Sequence, residues 1–258
     1  MSNKVIRLPI EAIEPYMLPT PPPTPGREFE PPPARLDWHA IFGNDHPVEI
    51  EVGSGKGLFL VNAGMAYPET NYVGIEIVHK YQYSIANRLA KRKLANVRIA
   101  YSDARWILRD WIADASVSAV HLYFPDPWWK LKHRKRRMFT EEFALQSFRI
   151  LRPGGSLFVV TDVADYAKMV RLTVPHTPFV EREPPPESPG SHSMDYLTNF
   201  ERRFREQGKP IHRMRFDKSE ESGRIDAPEK PPSIRTPFAD APSTPNTGHP
   251  DRPCSTSI

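Results

Sequence analysis

Between Val48 and Leu172 the chain switches repeatedly between two apolar periods. Short β-branched runs at Val48–Val52 (VEIEV), Asn71–Val78 (NYVGIEIV), Val97–Ala100, Ala119–Phe124 (AVHLYF) and Ser156–Thr161 (SLFVVT) read as strands. Lys56–Tyr67, His79–Leu94, Ala104–Ile112, Thr140–Leu151 and Asp165–Leu172 carry helical spacing between and after them. Parallel neighbours cannot be joined by a tight hairpin and need a crossover, usually a helix. Five strands alternating with helices therefore predict an α/β fold, a mostly parallel sheet with helices on both faces. Such sheets take ligands beyond the carboxyl ends of their strands, which places a site before any motif is read.

Proline marks where this order stops. Of 30 prolines, 24 lie in 1–46, 175–190 and 218–258. Proline removes a backbone donor and disfavours helix at the residue before it. The expected organisation is a proline-rich extension over 1–46, extended or disordered, an ordered domain over 47–218, and a Pro/Ser-rich tail over 219–258 with too little apolar surface to offset its ordering entropy. The single cysteine, Cys254, excludes an intramolecular disulfide and suits a reducing cytoplasm. No run of 18 apolar residues is present, and the first residues, MSNKVIRLPIEAIEPY, lack the apolar centre of a signal peptide, so neither membrane nor export is expected. A net charge of +4 permits a nucleic-acid partner without requiring one.

The strand ends carry the polar chemistry. Glu51-Val52-Gly53-Ser54-Gly55-Lys56-Gly57 follows the first strand. Its glycines allow a sharp turn and close approach of a ligand to the backbone. The spacing is GxGxG rather than the GxGxxG of dinucleotide sites. With an acid two residues ahead, this is the form of methyltransferases that use S-adenosylmethionine, and Glu51 would meet the methionine ammonium; the bland alternative is a plain βα turn. Glu76 ends the second strand, 23 residues past Gly53, where a carboxylate can accept both ribose hydroxyls. Asp103, after the third, can bond an adenine amino group, cap the helix that starts at Ala104, or do both.

The fourth strand runs into YFPDPWWKLKHRKRRMF, Tyr123 to Phe139. Asp126 between two prolines sits in a rigid, extended segment, which suits a positioned carboxylate. Six Lys or Arg and one His follow in the eight residues Lys130–Arg137. Alone, such a block is a solvated face or a localisation patch. Four residues after a candidate catalytic acid, it suits a grip on nucleic-acid phosphates that positions a base for reaction.

With these residues in view, the chain resembles the bacterial tRNA (guanine-N7-)-methyltransferases, whose signature is close to PDPWxKxRHxKRR. EVGSGKG, GIEI, the SDA turn, LRPGG followed by VVTD, and the late Thr198-Asn199-Phe200-Glu201 agree with it, over roughly 48–216. The resemblance implies a Rossmann-like class I methyltransferase fold, S-adenosyl-L-methionine as cofactor, tRNA as partner, no metal, and methylation of the variable-loop guanine. It implies that Glu51, Gly53, Gly55, Gly57, Glu76, Asp103 and Asp126 line the cofactor site, with Asp126 the active-site residue. Lys130, Asp162 and Thr198, Asn199, Phe200 and Glu201 match substrate-binding positions, and Lys132, His133, Arg134, Lys135, Arg136 and Arg137 match the RNA-contacting segment. Lys132 departs from the family, which usually has Arg there; the charge is kept and bidentate phosphate geometry is lost. Bland roles stay open for the late residues: Asp162 as a helix cap, Thr198 with Glu201 as a capping box. A methyltransferase acting on an exocyclic amine, a non-catalytic RNA-binding protein and a dehydrogenase are the competing functions, the last disfavoured by the glycine spacing.

Overall fold

The computed structural model describes residues 7–23, 32, 34–128, 136–186 and 198–219. Strands β1 to β8 are Met17–Leu18, Val48–Val52, Asn71–Glu76, Val97–Tyr101, Val117–Tyr123, Leu151–Thr161, Val180–Arg182 and His212–Asp217. Helices α1 to α8 are Ile10–Ile13, Trp38–Phe42, Leu58–Ala66, His79–Arg92, Ala104–Trp106, Glu141–Ile150, Ala164–Thr173 and Asn199–Glu206. The strands form one sheet in the order β1-β4-β3-β2-β5-β6-β8-β7. From β1 to β6 every pairing is parallel, and β8 runs antiparallel to both β6 and β7. The chain winds outward from β2 through β3 to β4, then returns to add β5 and β6 on the other side. The order reverses between β2 and β5, where a crevice opens at the carboxyl ends.

Two apolar clusters cover the two faces. One packs α3, α4 and α1 through Leu60, Ile85, Leu89 and Ile13 against Tyr72 and Ile99. The other packs Ile107, Phe143, Phe148, Tyr166 and Val170 against Ile50, Val52, Val120, Leu122 and Val159. Ile50, Leu60, Val120 and Val159 are wholly shielded from water. The central strands thus bury both faces, which explains why they read as continuous apolar runs rather than alternating ones.

Four features differ from the sequence expectation. The predicted helix over 104–112 is a single α turn that continues as a π-helix at Ile107–Trp111. The fifth predicted strand starts at Leu151, not Ser156, and carries Pro153-Gly154-Gly155 inside it as a bulge, with Leu151 opposite Val117 and Ser156 opposite Ala119. A Cβ on Gly155 would lie 2.9 Å from the Arg152 carbonyl oxygen, so only glycine fits that bulge. Strands β7 and β8 went unpredicted, although Met214 and Phe216 alternate with Arg213 and Arg215. Part of the proline-rich 1–46 segment is also ordered: β1 extends the sheet beside β4, and Ile13 and Leu18 are buried. Proline limits helix there, but the three apolar residues between Pro15 and Pro19 are enough to add an edge strand. The tail expected over 219–258 lies outside the described residues apart from Ser219.

Candidate active site

The turn after β2 owes its shape to glycine. Gly53, Gly55 and Gly57 have φ of 75°, 52° and 66°, in the left-handed region. Gly53 donates to the Ile75 carbonyl at 2.8 Å, which ties the turn to β3. A Cβ on Gly53 or Gly55 would meet nothing within 4 Å, so open space lies before the loop; a Cβ on Gly57 would lie 2.7 Å from Ile85. The first two glycines therefore leave room for a ligand, and the third lets α4 pack.

The carboxylates at the strand ends are brought together. Glu51 is 3% exposed, and its Oε2 has no hydrogen-bond partner among the described residues. Burial pushes its pKa up to about 8, against a lowering hydrogen bond from Ser54 and with a further raise from Glu76. A buried carboxyl oxygen without a partner, beside an open glycine turn, fits a cationic ligand group such as an ammonium. Glu76 accepts from the Gly55 amide at 2.6 Å and from the Val78 amide at 2.8 Å. Burial raises its pKa, backbone amides of Val78, Gly55 and Ile77 oppose this, and the charge of Asp126 adds to the raise. Asp126 itself is exposed to solvent and lies within the field of Glu76. Asp103 accepts from the Arg105 amide at 3.0 Å as the cap of α5 and pairs with the Arg105 guanidinium. Its capping role is thus seen directly.

The PDP segment is held between two strained residues. Phe124 and Trp128 have φ of 49° and 43°, a left-handed conformation that costs a non-glycine residue roughly 1–2 kcal/mol. Phe124 donates to the Val160 carbonyl at 2.7 Å, anchoring the entry to β6. At the exit, Arg137 Nε donates to the Pro127 carbonyl at 3.0 Å and Nη2 reaches the Trp128 carbonyl at 3.5 Å. The Arg136 guanidinium stands 5.1 Å from the centre of the Trp128 ring. The two described members of the basic block therefore turn toward the loop that carries Asp126. Lys130, Lys132, His133, Arg134 and Lys135 lie outside the described residues.

Helix α8 covers the same end of the sheet. The Phe124 ring lies 6.2 Å from Phe200 and 5.6 Å from Phe204, which joins the late tetrad to the PDP segment. Thr198 caps α8, accepting from the Glu201 amide at 3.1 Å. Glu201 is 2% exposed and pairs with Arg213 and, at 3.7 Å, with Arg205, so its carboxylate serves the α8–β8 contact. Phe200 is half exposed and Asn199 begins α8. Asp162 follows β6, and it does not cap α7: the capping position is Val163, without a side-chain bond.

Three features escaped sequence reasoning. His121 bonds Glu49 at 2.9 Å and the Tyr123 hydroxyl at 2.7 Å, a polar line along β2 and β5 that alternation marks only in hindsight. The Ser102 hydroxyl donates to the Pro21 carbonyl at 2.8 Å, so the N-terminal segment runs beside the turn that carries Asp103. The sequence leaves open that Arg136 and Arg137 turn back toward an acid such as Glu141; the partners Arg137 takes, the Pro127 and Trp128 carbonyls, carry no sequence signal.

A glycine turn at the order reversal of a parallel sheet, with acids on successive strand ends, defines a class I, S-adenosylmethionine-dependent methyltransferase. The solved 16S rRNA methyltransferase KamB shares the fold, with a TM-score of 0.50 at 15% identity over 69% of this chain and 90% of its own. The Methyltransf_4 model of methyltransferases matches residues 45–214. A tRNA (guanine-N(7)-)-methyltransferase of Rhodopirellula baltica is 44% identical over 200 residues, 72% of this chain and 71% of the relative. One from Syntrophotalea carbinolica is 38% identical, over 68% and 76%. The chain belongs to the tRNA (guanine-N7)-methyltransferase family.

Proposed function

We propose that this chain transfers a methyl group from S-adenosylmethionine to N7 of a guanine in tRNA. The observation that carries the reading is the placement of Asp126: a carboxylate fixed between two strained residues, close to Glu76 and the open glycine turn, in a chain with 44% identity to a relative of that activity. S-adenosylmethionine supplies an electrophilic methyl group on a sulfonium. Glu51 takes its ammonium, Glu76 its ribose, and Asp103 its adenine, while Gly53 and Gly55 let it lie against the backbone.

Guanine N7 has an in-plane lone pair and no proton, so Asp126 is not needed as a base. It works by charge and orientation. Positive charge moves onto the purine as the methyl transfers, and a fixed carboxylate nearby stabilises it by about 3 kcal/mol. The same carboxylate accepts from guanine N1–H and the amino group, which selects guanine over adenine. Alignment of nucleophile, methyl and leaving sulfur removes up to roughly 7–11 kcal/mol in ideal cases. Displacement at a sulfonium calls for no metal. Of Lys130, Lys132, His133, Arg134, Lys135 and Arg136, about three or four hold tRNA phosphates, and Asp162 with Thr198 to Phe200 borders the target nucleotide. The domain spans 47–218 with part of 1–46 packed on it. The cytoplasm, where tRNA is used, is the place of action.

No helix among the described residues is long and apolar enough to cross a membrane. The test is transfer of labelled methyl to unmodified tRNA, then mapping by reduction and aniline cleavage. Cleavage at one guanine is expected. Labelled tRNA that resists cleavage would mean an exocyclic amine is the acceptor, and no label at all would overturn the activity.

A further inference from the structure

We propose that Arg137 is a positioning residue for Asp126 and not a ligand of RNA phosphate. The inference rests on the assignment of Asp126 above. Arg137 closes the sequence's basic block, so its charge alone assigns it to the polyanion. Its geometry assigns it elsewhere. The half-buried guanidinium donates to the carbonyl oxygen of Pro127 at 3.0 Å and reaches that of Trp128 at 3.5 Å, the two residues that follow Asp126. Its Nη1 also lies 3.5 Å from the Met169 sulfur on α7.

A planar guanidinium fits this task. It presents several donors in a fixed fork, so it can span consecutive carbonyls, whereas an ammonium is a point donor on a flexible stem. The carbonyls it grips belong to a segment outside regular secondary structure. Trp128 is left-handed at φ 43°, and Pro127 has no amide proton to give. The residue on the return limb is anchored too: the Phe139 amide donates to the Tyr166 hydroxyl on α7 at 3.2 Å. Arg137 thus links the outgoing limb at Pro127 and Trp128 to a return limb fixed on α7. Without it, the Pro127 and Trp128 carbonyls lose this anchor, and the carboxylate loses part of what fixes its distance to the purine. A displacement near 1 Å at a reacting group can cost roughly 100-fold in rate.

The experiment is single-turnover methyl transfer with cofactor and tRNA saturating, together with tRNA binding across a salt series. Wild type, Arg137→Gln, Arg137→Lys, Asp126→Ala and the double variant Asp126→Ala/Arg137→Gln are compared. We expect Arg137→Gln to slow the saturated rate about 30-fold and Arg137→Lys to recover part of it. The slope of log affinity against log salt should stay at the wild-type value. In the Asp126→Ala background, Arg137→Gln should add little, because both act through one carboxylate. A structural effect unrelated to Asp126 would instead add its full loss there. A saturated rate within about threefold of wild type in both single variants would overturn the proposal, as would a slope reduced by about 0.7–0.9, the signature of a lost phosphate contact. If Arg137→Gln does not fold, Arg137→Lys decides by the same criteria. A normal rate in Asp126→Ala would sink the underlying role of Asp126. Slow Asp126→Ala with fast Arg137 variants would remove this inference alone.

Discussion

The Gly55 amide donates to Oε2 of Glu76 across 2.6 Å, so the glycine turn after β2 and the acid at the end of β3 form one unit. The carboxylate proposed to bind ribose is also the brace of the glycine turn. Its other oxygen accepts from Val78 at 2.8 Å. A change at Glu76 therefore acts on binding and on loop stability together.

Glu76→Ala should lower stability by about 1–3 kcal/mol, because it strands a loop amide, and should weaken cofactor binding by a similar amount. Gly55→Val should act differently. Its side chain has room in the free protein but needs left-handed backbone at φ 52°, at a cost of roughly 1–2 kcal/mol, and fills the space a ligand needs. Denaturant titration and calorimetry with S-adenosylmethionine separate the two. Unchanged cofactor affinity in both variants would refute the site.

If Glu51 takes the cofactor ammonium, cofactor binding should depend on pH. Its folded pKa is near 8, against an ordinary value of 4.5, so the folded protein holds an extra proton between those values. The sign follows from linkage: stability from this group is full below pH 4.5 and is lost as pH rises through about 8. An arriving ammonium favours the ionised carboxylate, so binding at pH 6.5 should release about one proton. Calorimetry in two buffers of different ionisation enthalpy measures it. Glu51→Gln should release none and should flatten the pH dependence of stability.

The strand ends were legible in the sequence because strands and turns leave local signals. Glu51, Glu76 and Asp103 each follow a β-branched run, and parallel topology then brings them together. Arg137 was legible as a charge that serves RNA or turns back to an acid such as Glu141; its carbonyl partners at Pro127 and Trp128 depend on tertiary placement that no local signal gives. Thr198 to Glu201 stood out as a motif, yet the buried pair Glu201–Arg213 depends on β8, whose short alternation was overlooked. Proline in 1–46 hid β1, whose place is set by the open edge of β4 rather than by local preference.

That last point is measurable. Ile13 is 5% exposed among α3 and α4 side chains, and the Leu8 amide donates to Asn87 at 2.8 Å. Ile13→Ala should cost about 2–4 kcal/mol of unfolding free energy. A change below about 0.5 kcal/mol, the range of ordinary surface substitutions, would show that the segment is a loose appendage.

Asp126→Asn separates charge from shape at the proposed catalytic position. The amide keeps the size of the side chain and removes the negative charge that meets the purine cation. A fall of roughly 100-fold in the single-turnover rate is expected, with tRNA affinity little changed. If Asp126 works by charge and orientation, the residual rate should be flat between about pH 6 and 8. A wild-type rate that climbs steeply with one deprotonation, absent in Asp126→Asn, would make Asp126 a base.

In the late tetrad, Glu201 and Thr198 make contacts within the fold, while Phe200 is half exposed. Glu201 is 2% exposed, with its charge shared between Arg213 and Arg205, and removing one partner of a buried ion pair costs about 3–5 kcal/mol. Glutamine can still accept one hydrogen bond, so Glu201→Gln should sit at the low end, about 3 kcal/mol. Thr198→Ala removes the α8 cap and should cost about 1 kcal/mol. Phe200 is half exposed beside Phe124, with the Arg203 guanidinium 5.4 Å from its ring. Phe200→Ala should therefore leave stability within about 1 kcal/mol and weaken tRNA binding by about 1–3 kcal/mol, the range for a lost base–aromatic stack. Urea unfolding and tRNA titration of the three variants give the two columns. If Glu201→Gln keeps full stability and loses tRNA affinity instead, the carboxylate contacts the nucleotide and the ion pair is incidental. If Phe200→Ala binds tRNA normally, the exposed ring does not meet a base.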